Sequence, residues 1–340
     1  MAIRVKTVLV TLLVLLVLLV LGGITAVGWQ VVLGPKARAV SAERFEPTPA
    51  RLERGKYLVE GPLHCFQCHT EHDLSTPEYP INQAKKGAGW VMPIPELNNI
   101  PARNITPDAE TGLGSWSDDE IARAIREGVR KDGSALFPVM PYLDFGTLDD
   151  EDVKAIVVYL RTIAPVKNTL PTRSLPGPLE YLVKTMPAPI TSPVSHVATT
   201  AVDRGKYLAK LAGCQGCHTP NDDGVPRPGL AFAGGEKFGG VVGVPIVHSY
   251  NLTRDPSGLA HYDESLFMET IRTGRVKGRT LSHIMPFEFF RNISDDDLRD
   301  IWAFLQAQPS VQHRVSNTDP PTLCPRCNRT HGLGELNKAQ

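Results

Sequence analysis

Cys65-Phe66-Gln67-Cys68-His69-Thr70 and Cys214-Gln215-Gly216-Cys217-His218-Thr219 are one pattern written twice, and how they are read decides the fold. Cysteines three apart stand on the same side of a helical turn. The histidine directly behind them brings an imidazole to the same place. Two thioether bonds to the vinyl groups of one haem, with the histidine on its iron, use all three side chains, so each pentapeptide reads as a c-type haem attachment site. Cys-x-x-Cys also serves disulfide exchange and zinc binding. Two occurrences, each completed by a histidine and each inside one copy of a repeated unit, favour haem.

The repeat extends well beyond these turns. Arg54-Gly55-Lys56-Tyr57-Leu58 returns as Arg204-Gly205-Lys206-Tyr207-Leu208, in each case ahead of the cysteines. Downstream, Asn104-Ile105-Thr106-Pro107-Asp108 is echoed by Asn251-Leu252-Thr253-Arg254-Asp255, and Ile125-Arg126-Glu127-Gly128 by Ile271-Arg272-Thr273-Gly274. Met140-Pro141-Tyr142 then matches Met285-Pro286-Phe287. Each copy is expected to close with a helix. Asp149 is placed to cap the first, with Val153, Ile156, Val157 and Leu160 on one face; Ser294 is placed to cap the second, with Leu298, Ile301, Trp302 and Leu305 at the same spacing. An internal helix is expected from the capping-box pattern Ser117-Asp118-Asp119-Glu120. No alternation of the strand kind is evident, so each copy reads as a small, mostly helical domain.

The duplicated methionines supply the expected sixth iron ligands. Met140 and Met285 occupy the same place in the repeat, just before the closing helix, and methionine sulfur is a usual partner of histidine in electron carriers. Met92 competes in the first copy and His283 in the second, but neither has a repeat partner. His64, His72, His196, His248, His261 and His313 are likewise unmatched and read as surface or structural residues.

At the N-terminus, no charge appears between Lys6 and Lys36. Residues 7–27 are apolar throughout and long enough to cross a hydrocarbon layer, which takes roughly 20 helical residues. A cleaved signal peptide has a shorter apolar core, about 7–15 residues, so a retained anchor is expected. Arg4 and Lys6 place the short N-terminus in the cytoplasm and everything after the helix outside. The chain of 340 residues thereby divides into an anchor (1–28), a tether (29–50), a first domain (51–164), a Pro-rich linker (165–200), a second domain (201–310) and an irregular tail (311–340). Within the linker only residues 179–186 have the look of a brief helix. Lys plus Arg number 36 and Asp plus Glu 36, a balance that gives nucleic acid no support as a partner.

A third cysteine pair, Cys324-Pro325-Arg326-Cys327-Asn328, has the haem spacing but asparagine where the iron ligand is required. A local disulfide is the favoured reading for this side of a membrane. A zinc site from Cys324, Cys327 and His331 is the other reading, and it lacks an obvious fourth ligand.

These motifs together resemble the multihaem cytochrome c subunits of membrane-bound alcohol and gluconate dehydrogenases. The matching stretches are 54–70, 104–112 and 116–160, and more loosely 204–219 and the chain from Asn251 onward. The resemblance implies two tandem class I cytochrome c domains, histidine–methionine ligation and electron transfer between a partner enzyme and the respiratory chain. That family commonly carries three haems and a C-terminal membrane attachment; here there are two sites and an N-terminal apolar segment. The resulting expectation is a dihaem c-type cytochrome, single-pass in the bacterial cytoplasmic membrane with its domains in the periplasm. It would contact lipid through its N-terminal helix and carry electrons between a dehydrogenase or membrane redox complex and an acceptor. Its site residues would be Cys65, Cys68, His69 and Met140 with Cys214, Cys217, His218 and Met285. The alternative is a dihaem redox enzyme, of peroxidase or thiosulfate-oxidising type, with one exchangeable ligand. No nucleophile–base pair or phosphate-binding glycine loop stands out in the chain.

Overall fold

The uninterrupted apolar run forms helix α1 (Ala2–Val27), whose side chains are mostly exposed from Val5 onward, and a short turn α2 (Gln30–Leu33) follows it. The computed structural model describes residues 2–196, 198–241 and 243–338; Met1, the side chains of residues 2–4 (Arg4 among them), Val197 in the linker, Val242 in the second domain and the last two tail residues fall outside it. Residues 5–27 of α1 are long and apolar enough to cross a membrane.

The first domain runs through α3 (Pro49–Glu60), α4 (Cys65–Cys68), α5 (Asp118–Glu127), α6 (Tyr142–Phe145) and α7 (Asp150–Leu160). A short helix, α8 (Leu179–Leu182), marks the linker where a brief helix was expected. The second domain repeats the order with α9 (Ala201–Leu211), α10 (Cys214–Cys217), α11 (Glu264–Thr273), α12 (Phe287–Phe290) and α13 (Asp295–Gln306). In each domain the opening and closing helices cross tightly, and the repeated glycine is the reason. A Cβ on Gly55 would stand 2.0 Å from the Ala155 carbonyl oxygen, and one on Gly205 would stand 1.8 Å from that of Asp300. The arginine before each glycine locks the same crossing, Arg54 to Asp152 and Arg204 to Asp300.

The caps follow the sequence with one exception. Ser117 and Glu120 form the complete capping box on α5, and the Ser294 hydroxyl accepts from Asp297 N–H at the start of α13. Asp149 makes no side-chain cap on α7. Its carboxylate is taken instead by the linker, accepting from the backbone N–H of His196 at 2.7 Å and from its ring Nδ1 at 2.6 Å.

Two features add to the sequence reading, and a third, the tail, corrects it. The tether is strapped down: Arg38 pairs with Asp119 at 2.6 Å and Glu127 at 2.7 Å, and the N–H groups of Ser41 and Phe45 donate to Asp119 and Asp118. Short antiparallel strand pairs, such as Trp90–Val91 with Pro101–Ala102, join the helices. The tail is ordered: strands Ser316–Leu323 and Thr330–Gly332 pair as an antiparallel hairpin, with Thr330 opposite Leu323 and His331 opposite Thr322.

The core of the first domain gathers Leu58, Phe66, Ile121, Leu148, Ile156 and Val157, and it admits Leu211 and Phe289 from the second. That shared apolar packing joins the two domains as one body, which the sequence left open.

Candidate haem sites

The two Cys-x-x-Cys turns fold alike because the same backbone contacts hold them. His69 N–H donates to the Cys65 carbonyl at 3.0 Å and His218 N–H to that of Cys214 at 2.9 Å. The carbonyls of His69 and His218 accept in turn from Gly89 and Gly234, each at 2.8 Å. The threonine closing each motif is buried, and its hydroxyl accepts from Gly87 N–H in the first domain and from Phe232 N–H in the second.

Each ring nitrogen Nδ1 is committed to a backbone carbonyl: His69 to Arg103 at 2.6 Å and His218 to Tyr250 at 2.7 Å. With Nδ1–H donating, Nε2 keeps its lone pair, the form an iron ligand requires. Those carbonyls are themselves fixed, and here the repeated Asn-x-Thr motifs find their use. Asn104 follows Arg103, donates to the Val166 carbonyl at 2.7 Å and accepts from both the N–H and the hydroxyl of Thr106. Asn251 follows Tyr250, donates to the Val311 carbonyl at 2.8 Å and accepts from the same two groups of Thr253. The motif is visible in the sequence but its role is not, because the partners that define it lie some sixty residues away, in the linker and the tail.

Burial raises the thiols, Cys65 to about 12, Cys68 to about 11 and Cys214 to about 12. The cysteines of a disulfide exchanger are lowered instead. Burial also holds His69 and His218 below the usual imidazole range, against the hydrogen bonds to Arg103 and Tyr250.

In the first domain these residues open on a cavity of about 450 Å3 whose lining includes Cys65, Cys68, His69 and Met140 among apolar side chains such as Ile121 and Phe145. Its size falls within the range of cofactor sites. Met92 also lines it, but packs in a satellite cluster with Ile100, Ala135, Leu175 and Val183, whereas Met140, like Cys65, packs on the main core. Met285, like Cys214, packs in the same way on the second core. The two loops are built alike: Leu136 N–H donates to the Gly128 carbonyl at 2.7 Å and Leu281 N–H to that of Gly274 at 2.8 Å. The methionine carbonyls then accept from Tyr142 and Phe287, at 2.7 and 2.8 Å. His283 lines a separate cleft between the domains, together with Tyr79 and Val247.

Residues 50–160 match the family model described as cytochrome c oxidase, cbb3-type, subunit III, and residues 202–309 match that of cytochrome c. The chain is two cytochrome c domains in tandem. Such domains bind c-type haem. The tandem cytochrome is 28% identical, over 84% of its length, to the cytochrome c subunit of the quinone alcohol dehydrogenase of Gluconobacter oxydans. It is also 28% identical, over 82% of its length, to the gluconate 2-dehydrogenase cytochrome c subunit of Pantoea cypripedii. The resemblance read from the sequence motifs therefore holds. The tandem cytochrome spans 61% and 64% of the lengths of those relatives. A diheme cytochrome c-type protein of Cereibacter sphaeroides is 26% identical over 73% of this chain and 83% of its own.

Proposed function

We propose that the tandem cytochrome carries two covalently attached haems and relays single electrons. The first haem would be held by Cys65, Cys68, His69 and Met140, the second by Cys214, Cys217, His218 and Met285. The observation that carries this reading is the paired histidine geometry. In both domains the imidazole directly follows a pair of free thiols, with Nδ1 tied to a fixed carbonyl and Nε2 left for iron.

Haem iron supplies reversible one-electron chemistry between its ferrous and ferric states. The protein residues do the rest. The cysteines would fix the orientation of each haem, and His69 and His218 would ligate its iron. Arg103 and Tyr250 strengthen those imidazoles as donors by accepting their Nδ1 protons in hydrogen bonds. Met140 and Met285 would supply thioether ligands to the irons, and the apolar walls exclude water. The apolar core that the two domains share supports a path for an electron from one site to the other.

Helix α1 would anchor the chain in the bacterial cytoplasmic membrane with both domains in the periplasm, the compartment in which haem is attached to thiols. By analogy with the relatives, the donor would be a dehydrogenase or another membrane redox complex. The test is the mass of the unfolded, purified chain, together with its pyridine haemochrome spectrum. Two haem masses retained after denaturation, with the c-type band, support the reading; one or none refutes it.

A further inference from the structure

Past the second domain the chain turns back over itself. The Val311 carbonyl accepts from Asn251, and two residues later the His313 side chain enters the interior. The hairpin that follows has a largely exposed first strand, and its turn is the third cysteine pair. Cys324 N–H donates to the Arg329 carbonyl and Asn328 N–H to that of Cys324, with Asn328 in the left-handed region at φ 55°. Both cysteines are free thiols, contrary to the expected disulfide.

Four side chains meet under this turn: His313, Cys324, Cys327 and His331, each 0% exposed. Their four donor atoms lie within 4.8 Å of one another. Cys324 Sγ is 3.4 Å from His313 Nε2, and Cys327 Sγ is 3.4 Å from His331 Nε2. His313, read from the sequence as an unmatched surface or structural histidine, is the fourth ligand that the zinc reading lacked.

We propose that His313, Cys324, Cys327 and His331 bind one zinc ion as a closed structural site. Zinc bonds of about 2.3 Å to sulfur and about 2.0 Å to nitrogen, set tetrahedrally, put the ligand atoms roughly 3.3–3.8 Å apart, as these sulfur–nitrogen pairs are. Both imidazoles are oriented for it. His313 Nδ1 donates to the Ala233 carbonyl at 2.9 Å and His331 Nδ1 to that of Gly332 at 3.0 Å, so both Nε2 lone pairs turn to the thiols. The ligand spacings, Cys-x2-Cys and Cys-x3-His, belong to structural zinc, and a donor set of two sulfurs and two nitrogens selects against magnesium and calcium.

The hairpin also needs such a staple. Its apolar surroundings are few, with Leu230, Ala233 and Val311 about the cysteines, and an isolated two-stranded hairpin is marginal in water. On binding, each thiol gives its proton to solvent, so two thiolates balance the dication and the buried site is neutral. The ion would also brace the second haem loop, because Ala233, which holds His313, directly precedes Gly234, the donor to the His218 carbonyl.

The experiment is elemental analysis of the full-length protein, purified without metal-affinity steps, with zinc counted per chain. X-ray absorption at the zinc edge follows, and thiols are titrated in denaturant with chelator but no reductant. The expected result is about one zinc per chain in a shell of two sulfurs and two nitrogens, with two titratable thiols. Cys327→Ser and, separately, His313→Gln should lose most of the zinc while keeping both haems covalently attached. Should either variant fail to fold, the wild-type zinc count and shell decide alone. Thiols that appear only after reduction would establish a disulfide and overturn the proposal. So would free thiols in a protein that neither contains zinc nor takes it up from added zinc chloride.

Discussion

The Tyr57 hydroxyl of the first domain donates to the Asp297 carboxylate of the second, and Tyr207 of the second returns the bond to Asp152 of the first at 3.1 Å. Each hydroxyl also accepts the backbone N–H at the start of the other domain's closing helix, Ser294 at 3.3 Å and Asp149 at 3.2 Å. Equivalent residues thus make equivalent bonds across the boundary, so the duplicated domains are related by an approximate two-fold axis. The repeated tyrosine of Arg-Gly-Lys-Tyr-Leu holds one domain to the other.

Tyr57→Phe removes the donor and leaves Asp297 without it. A hydrogen bond to a charged group contributes about 1.5–3 kcal/mol, and urea unfolding followed by circular dichroism should show a loss of that order. Burial and Asp297 push the Tyr57 phenol up to about 12, above about 10 for an unfolded tyrosine. The sign follows: this contribution is complete below pH 10 and is lost as pH rises toward 12 in the wild type. Tyr57→Phe should flatten that limb of the stability–pH curve.

Asn104→Ala frees the Arg103 carbonyl from its fixed place and weakens the hydrogen bond that makes His69 a stronger donor. The potential of the first haem should rise while that of the second stays constant, and Asn251→Ala should reverse the assignment. Potentiometric titration reads both. Equal shifts at the two haems in either variant would contradict a local role.

Met140→Ala and Met285→Ala should each remove about half of the sulfur-to-iron charge-transfer band and introduce a high-spin component, with covalent haem unchanged. An unaltered spectrum in Met140→Ala would transfer the ligand role to Met92.

Gly55→Ala places a methyl group against the Ala155 carbonyl, where only 2.0 Å is available. The helices must separate, at a cost of about 1–3 kcal/mol, and thermal melting should register it.

Much of this architecture is legible in the sequence because it is local or repeated. The Cys-x-x-Cys-His turns, the Ser117–Glu120 box and the apolar face of α7 each declare themselves within a few residues. What stayed hidden depends on partners distant in the chain. Asn104 and Asn251 reach carbonyls at Val166 and Val311 that no motif marks. Asp149 looks like a cap, yet His196 claims its carboxylate. Arg38 sits in an unpatterned tether, yet it meets Asp119 and Glu127 on α5. The tail hairpin contains Pro320-Pro321 and mostly polar residues, poor strand formers, because four side chains at its base do the work of a core. Cys-x2-Cys-x3-His with a histidine just upstream was the available signal for that cluster.

The most direct test of the relay is a reductive titration of the purified protein with its optical spectrum recorded at each step. Two electrons per chain, taken up by two low-spin haems whose oxidised forms show the sulfur-to-iron band, are the predicted result. Uptake of a single electron, or a high-spin haem in the resting protein, would contradict a pair of histidine–methionine centres and turn attention to catalysis at an open iron.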